Sequence, residues 1–300
     1  MRPRVSLPGR WGPALLAIAL SVLGTESASA FCRSTTCQDS AEDCPRDADG
    51  CRTTGIPLFW RTKCVGFSIQ KDGTVNLPFE GVTPVIEKAF LTWTDVDCGG
   101  SPASMAFSRL ADVSCHANEY NEGLPNANIV LFQDDIWRYK GLGNTLAKTT
   151  VTFDHDTGEI LDADIELNYA FNHITIGDDA VAFDLQSILT HEIGHFIGFD
   201  HSADPDATMN ATYDEGDTSL RTLEADDVAA VCAAYDPARA GTCDPVPRGG
   251  LADACQATSG CACSTAAFAL EIPSSSAVPS GAALVLLAGV LRARRRRLVD

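Results

Sequence analysis

Residues 182 to 198, AFDLQSILTHEIGHFIG, constrain the fold of this chain more than any other stretch. Leu185, Leu189, Ile193 and Phe196 recur at helical spacing, so they form one apolar stripe that has to pack inward. His191 and His195, four residues apart, project together from another face of the same helix. Gly198 then allows an abrupt exit, because glycine accepts positive φ at a helix end. The turn that follows can carry His201 back toward the first two histidines. The segment therefore predicts a helix with its aliphatic side in a core and its histidines in a cleft.

Half of the six histidines of the chain lie between 191 and 201. Two imidazoles one helical turn apart can reach a single metal ion, and His201 supplies a third nitrogen. Three protein ligands leave a fourth position of zinc open to water, which marks a catalytic site rather than a structural one. Glu192, next to the first ligand, is better placed to take a proton from the water that the metal activates than to bind the metal. The same carboxylate can pass that proton to a leaving amine. A helix with unligated histidines is the plain alternative, and the full H-E-x-x-H-x-x-G-x-x-H spacing argues against it. A glutamate as third ligand is a second alternative, since Glu215 and Glu224 lie at tolerable distances along the chain.

Upstream, VGFSIQ (65–70), NIVLF (128–132), TTVTF (149–153) and ILDADIEL (160–167) read as strands. PVIEKAFLTWTDV (84–96) reads as an amphipathic helix, and LEADDVAAVCAAY (223–235) as a last helix with acidic residues in its first turn, where the helix dipole favours them. These elements predict an α+β domain over 56–238, with a twisted mixed β-sheet, an active-site helix and a C-terminal helix. Asp154, Asp156 and Glu159 sit in the turn between two strands, where they form either a polar hairpin turn or a calcium site. Asp47-Ala48-Asp49-Gly50 is a fragment of a calcium-loop pattern that reads better as a polar turn.

Both ends look like addressing. Residues 1–30 place Arg2, Arg4 and Arg10 before an apolar run and end in Ala28-Ser29-Ala30, the grammar of a secretory signal peptide. Residues 31–55 form a cysteine-rich leader, and residues 239–276 a Cys-, Pro- and Ser-rich linker. Residues 277–300 join a short apolar segment to Arg292 and Arg294–Arg297, which would hold that end on the cytoplasmic side. All twelve cysteines follow the signal, an even count that suits disulfides in an oxidising compartment. Cys98 with Cys115 is a plausible local loop. Between the two ends stand 14 basic and 38 acidic residues, a body near −24 against −18 for the whole chain. Such a surface excludes nucleic acid, whose phosphates need Lys and Arg.

With these residues in hand, the chain resembles a metzincin zinc metallopeptidase of the matrixin type. Ser202 directly after the third histidine is the matrixin choice. Further matches are Ala89-Phe90 with Trp93 on the first helix and Leu223-x-x-Asp226-Asp227-Val228 at the last. The resemblance implies a zinc cofactor held by His191, His195 and His201, Glu192 as general base, protein or peptide substrates, and Met209 in a turn that floors the metal. It also implies bound Ca2+, for which Asp154, Asp156 and Glu159 are the candidates. Three departures stand out. Lys148 occupies a position where animal matrixins carry a structural-zinc histidine. Ala211 replaces the proline that follows the methionine turn. No long propeptide with the family's cysteine switch precedes the domain. The C-terminal arrangement, with Gly260-Cys261 before the apolar segment, resembles Myxo-CTERM sorting tails. That likeness implies sorting machinery as a partner, membrane contact only through the tail, and delivery to the surface or outer envelope of a bacterium. A single-pass tail anchor is the simpler alternative. The rival function is an inert metzincin-fold adhesion protein, against which the intact Glu192 argues.

Overall fold

The computed structural model describes residues 31–37, 44–139, 145–255, 266–267 and 296–298. The signal expected at 1–30, the pair Cys261 and Cys263, and most of the tail expected at 277–300 lie outside the described residues. In chain order the elements are β1 (Cys32–Arg33), β2 (Cys64–Ile69), α1 (Phe79–Thr94), β3 (Ala106–Arg109), β4 (Ile129–Gln133), β5 (Ala147–Phe153) and β6 (Ile160–Asn168). They continue as β7 (Ile174–Thr175), β8 (Phe183–Asp184), α2 (Leu185–Phe196), β9 (Phe199–Asp200), β10 (Thr212–Asp214), a 3-10 turn (Ser219–Arg221), α3 (Ala225–Ala234), β11 (Ala266–Ala267) and β12 (Arg296–Leu298).

Five strands make a mixed sheet in the order β5-β6-β4-β2-β3. The neighbours β6–β4, β4–β2 and β2–β3 are parallel, and β5 runs antiparallel to β6. The short β11 adds to the outer edge of β5, and β12 pairs with β10. This is the α+β arrangement expected, with two helices on one face. β6 shows why the residues sort as they do. Successive side chains of a strand alternate between faces, and Ala163, Ile165 and Leu167 enter the main core. Asp162, Asp164 and Glu166 take the other face, yet they too are buried. The segment before β4 and the loop after it cover them: Glu119 N donates to Asp164 Oδ2 at 3.0 Å, and the Tyr139 hydroxyl donates to Glu166. Burial pushes the carboxyls of Asp162 and Asp164 well above the usual range.

Helix α1 packs against α2 through Phe90 and Trp93, with the Phe67 and Phe90 rings stacked at 3.8 Å. Trp93 Nε1 donates to Thr190 O at 2.7 Å and so joins the two helices. α1 begins at Phe79, five residues before the start expected at Pro84. The missing N–H of Pro84 falls opposite the carbonyl of Glu80, on an exposed turn where water can satisfy it.

Disulfides correct two expectations. Cys98 pairs with Cys232 on α3, and Cys115 with Cys255, so no Cys98–Cys115 loop forms. Residues 239–255, expected as linker, lie against the domain: Cys64–Cys243 and Cys115–Cys255 fasten them, and the Arg239 guanidinium donates to the carbonyls of Trp60, Thr62 and Ser104. The leader is likewise built in. Cys32–Cys51 and Cys37–Cys44 close it, and β1 pairs with β9 beside His201. Asp47 closes a polar turn there by accepting from the backbone N–H of Asp49 and Cys51. Among the described residues no helix is long and apolar enough to cross a membrane.

Candidate active site

Helix α2 is held at both ends. Its N-cap, Asp184, accepts from Ser187 N at 2.8 Å and receives two guanidinium bonds from Arg221. The last carbonyls of a helix have no partner within it, and here three successive carbonyls at and just past the helix end find one elsewhere in the fold. Trp60 Nε1 donates to Phe196 O at 2.9 Å, the Tyr235 hydroxyl to Ile197 O at 2.7 Å, and Ser34 N to Gly198 O at 3.0 Å. Gly198 has φ +92°, and a Cβ there would meet Leu58 O at 2.6 Å. Glycine is required on both counts, and the sharp exit swings His201 back as expected. The amphipathic picture needs one change, because all twelve residues of α2 are buried. The opening to solvent lies on the side of His201, which is half-buried.

His191, His195 and His201 come together, with ligand nitrogens within 4.8 Å of one another. Their ring centroids are 4.9, 5.2 and 4.8 Å apart. His191 Nδ1 lies 2.7 Å from Thr208 O, and His195 Nδ1 lies 2.8 Å from Phe199 O. A carbonyl can only accept, so each Nδ1 carries the proton and each Nε2 presents a lone pair. Both Nε2 atoms are buried with no hydrogen-bond partner among the described residues. Burial, and for His191 the neighbouring His195 and His201, press the two imidazoles below their usual pKa, toward the neutral form that a metal needs. Two orphaned buried nitrogens and a third imidazole are a donor set that fits zinc. Glu215 and Glu224 do not join the cluster among the described residues.

Below the triad Met209 is buried, and Gly194 on α2 faces it: a Cβ at Gly194 would sit 2.0 Å from the Met209 sulfur. The sequence reads Asp227 only as a first-turn acid and a family match, yet this carboxylate builds the methionine turn. It accepts from Thr208 N at 2.8 Å, Met209 N at 3.1 Å and Glu224 N at 2.9 Å. Thr208 O in turn orients His191, so Asp227 on α3 acts on that imidazole through the turn. Ser202 donates its N–H to Met209 O and its hydroxyl to Asp226 at 2.7 Å, which closes the same loop from the other side.

Glu192 is fully buried beside the triad and accepts a bond of 2.5 Å from the Thr149 hydroxyl on β5. Lys148, the neighbour of Thr149, is buried with its ammonium 4.6 Å from the Tyr139 ring centroid. The turn at 154–159 carries its own hydrogen bonds and ion pairs. Asp154 Oδ1 accepts from Asp156 N, Thr157 N and the Thr157 hydroxyl, and the Glu159 carboxylate is ion-paired with Arg61 and Arg248. Asp154, Asp156 and Glu159 do not gather their oxygens into one cradle among the described residues. They form the polar hairpin turn.

Comparison with known proteins agrees with this geometry. The matrixin family model matches residues 59–236. Metalloendoproteinase 1-MMP of Arabidopsis thaliana is 27% identical over 186 residues, covering 59% of this chain and 44% of that protein. Stromelysin-1 of Rattus norvegicus is 25% identical over 185 residues, covering 59% of this chain and 33% of that protein. Matrilysin of Homo sapiens is 32% identical over 101 residues, covering 34% of this chain and 35% of that protein. The chain thus spans less than half the length of each of these relatives. With more than half of its residues matched by the family model, and the triad, glycine exit and methionine floor in place, the chain belongs to the matrixin family.

Proposed function

We propose that this protein is a zinc-dependent endopeptidase in which His191, His195 and His201 hold the metal and Glu192 is the general base. The observation that carries this reading is the pair of buried, outward-tethered imidazoles whose Nε2 atoms converge beside a buried carboxylate. Zinc bound there supplies Lewis acidity, which polarises the scissile carbonyl and acidifies the attacking water. Glu192 accepts the proton of that water and returns it to the leaving amine. His201, on the open side, marks where an extended peptide reaches the site. The matrixin family is zinc-dependent and commonly binds calcium; in this chain Asp154, Asp156 and Glu159 stay the candidates for it beside the polar-turn reading.

Export from the cytoplasm is part of the same proposal. Five disulfides among the described residues are the economy of an oxidising compartment. The signal-like residues 1–30 and the arginine-ended tail favour surface delivery, with sorting machinery acting on the tail.

The test is hydrolysis of unfolded casein by the purified chain. Cleavage should stop when a chelator strips the metal and return on adding zinc. Full zinc occupancy with no cleavage would instead favour the inert adhesion protein.

A further inference from the structure

We infer that Thr149 is a positioning residue that fixes the carboxylate of Glu192 for proton transfer. The inference rests on the reading of Glu192 as general base. Thr149 is the third residue of β5 and stands opposite Ile165 on β6. Its side chain is 2% exposed and turned toward α2. The hydroxyl oxygen lies 2.5 Å from Glu192 Oε2 and 3.1 Å from Glu192 O. A hydroxyl has one proton to give, and the shorter, charge-assisted contact is the stronger claim on it.

The element that holds this hydroxyl is what makes it a positioning device. Glu192 hangs from α2 by a side chain with three rotatable bonds. Thr149 is β-branched and stiff at χ1, and its backbone is locked in the β5–β6 ladder. The contact therefore ties the mobile carboxylate to the sheet, a second rigid body independent of the helix that carries the metal ligands. Tethering one oxygen narrows the rotation of the carboxylate and so the directions open to its second oxygen. The β5–β6 ladder already fixes β5 in the sheet, and the apolar core packs the sheet against α2, so the hydroxyl is not needed to hold strand and helix together. A valine would fill the same volume and lose only the tether.

The experiment compares Thr149→Val and Thr149→Ser with the parent chain, all loaded with zinc. Losing a hydrogen bond to a charged group should lower kcat roughly 10- to 100-fold in Thr149→Val while KM stays within about twofold. Thr149→Ser should recover kcat to within about threefold of the parent, because the hydroxyl returns. Zinc content should remain one per chain in both, since neither touches a ligand. A readout independent of activity comes from the metal-free proteins. Thr149→Val should lower Tm when Glu192 is present and lower it less in a Glu192→Ala background, which reports coupling between the two side chains. If Val disturbs packing, Thr149→Ala takes its place with the same expectations.

Full kcat in Thr149→Val, a rise in KM alone, or an equal fall in Thr149→Ser would each overturn the assignment. The two readings fail separately. An active Glu192→Ala removes the general base itself. An inactive Glu192→Ala beside a fully active Thr149→Val removes only the role given to Thr149.

Discussion

Glu192→Ala is expected to keep one zinc per chain and to lose about 10²- to 10⁴-fold in kcat on a peptide substrate, the range for removing a positioned general acid–base group. Zinc should stay because the three imidazoles are fixed without Glu192. Thr208 O and Phe199 O hold His191 and His195, and the Gly198 exit fixes the path to His201. KM should change little, because the carboxylate is buried and is not offered as a substrate-binding group. Metal analysis beside steady-state kinetics reads both quantities. A variant that loses its zinc would reassign Glu192 to holding the site together. One that keeps zinc and full kcat would leave the proton transfer to another group.

The second large effect concerns stability. Replacing Cys98 and Cys232 by serine together should cost about 2–4 kcal/mol, the usual size for a native disulfide. The residues are 134 apart, which taken alone would place the loop-closure term higher. The ring is nested inside the one closed by Cys64–Cys243, so part of that entropy is already removed. In Tm the loss is roughly 5–15 °C for a domain of this size, read by thermal unfolding under oxidising conditions. The bond ties the loop after α1 to α3, and α3 carries Asp227 and through it the methionine turn. Below the transition, cleavage per folded molecule should stay near the parent value. A Tm shift under about 2 °C would mean that α3 docks without the bond.

What could be read from residue order is local. The three histidines, Glu192 and Gly198 lie within eleven positions of the chain, so helix periodicity and one glycine suffice to bring them together. The strands that carry β-branched, alternating runs appear where expected for the same reason. Thr149 escapes notice because it lies 43 residues before Glu192, in a strand where threonine is ordinary. Only the packing of β5 against α2 gives its hydroxyl a meaning. Asp227 reads as a helix N-terminal acid, which it is, and its hold on Thr208 and Met209 is a tertiary contact with no local signature. Disulfide pairing fails from sequence for a related cause. Cys98 and Cys115 are near along the chain, but the fold sends one to α3 and the other to the segment ending at Cys255. Composition marks 239–255 as linker because it cannot register the bridges that fasten it. In the acidic turn at 154–159 the ion pairs of Glu159 with Arg61 and Arg248, distant in sequence, have no local signature either.

The central claim is that His191, His195 and His201 form one zinc site. X-ray absorption at the zinc edge tests it most directly. The chain loaded with one equivalent of zinc should show three imidazole nitrogens at about 2.0–2.1 Å, no sulfur, and a shell one imidazole smaller in His201→Ala. A sulfur shell near ~2.3 Å, or a spectrum unchanged by His201→Ala, would contradict it.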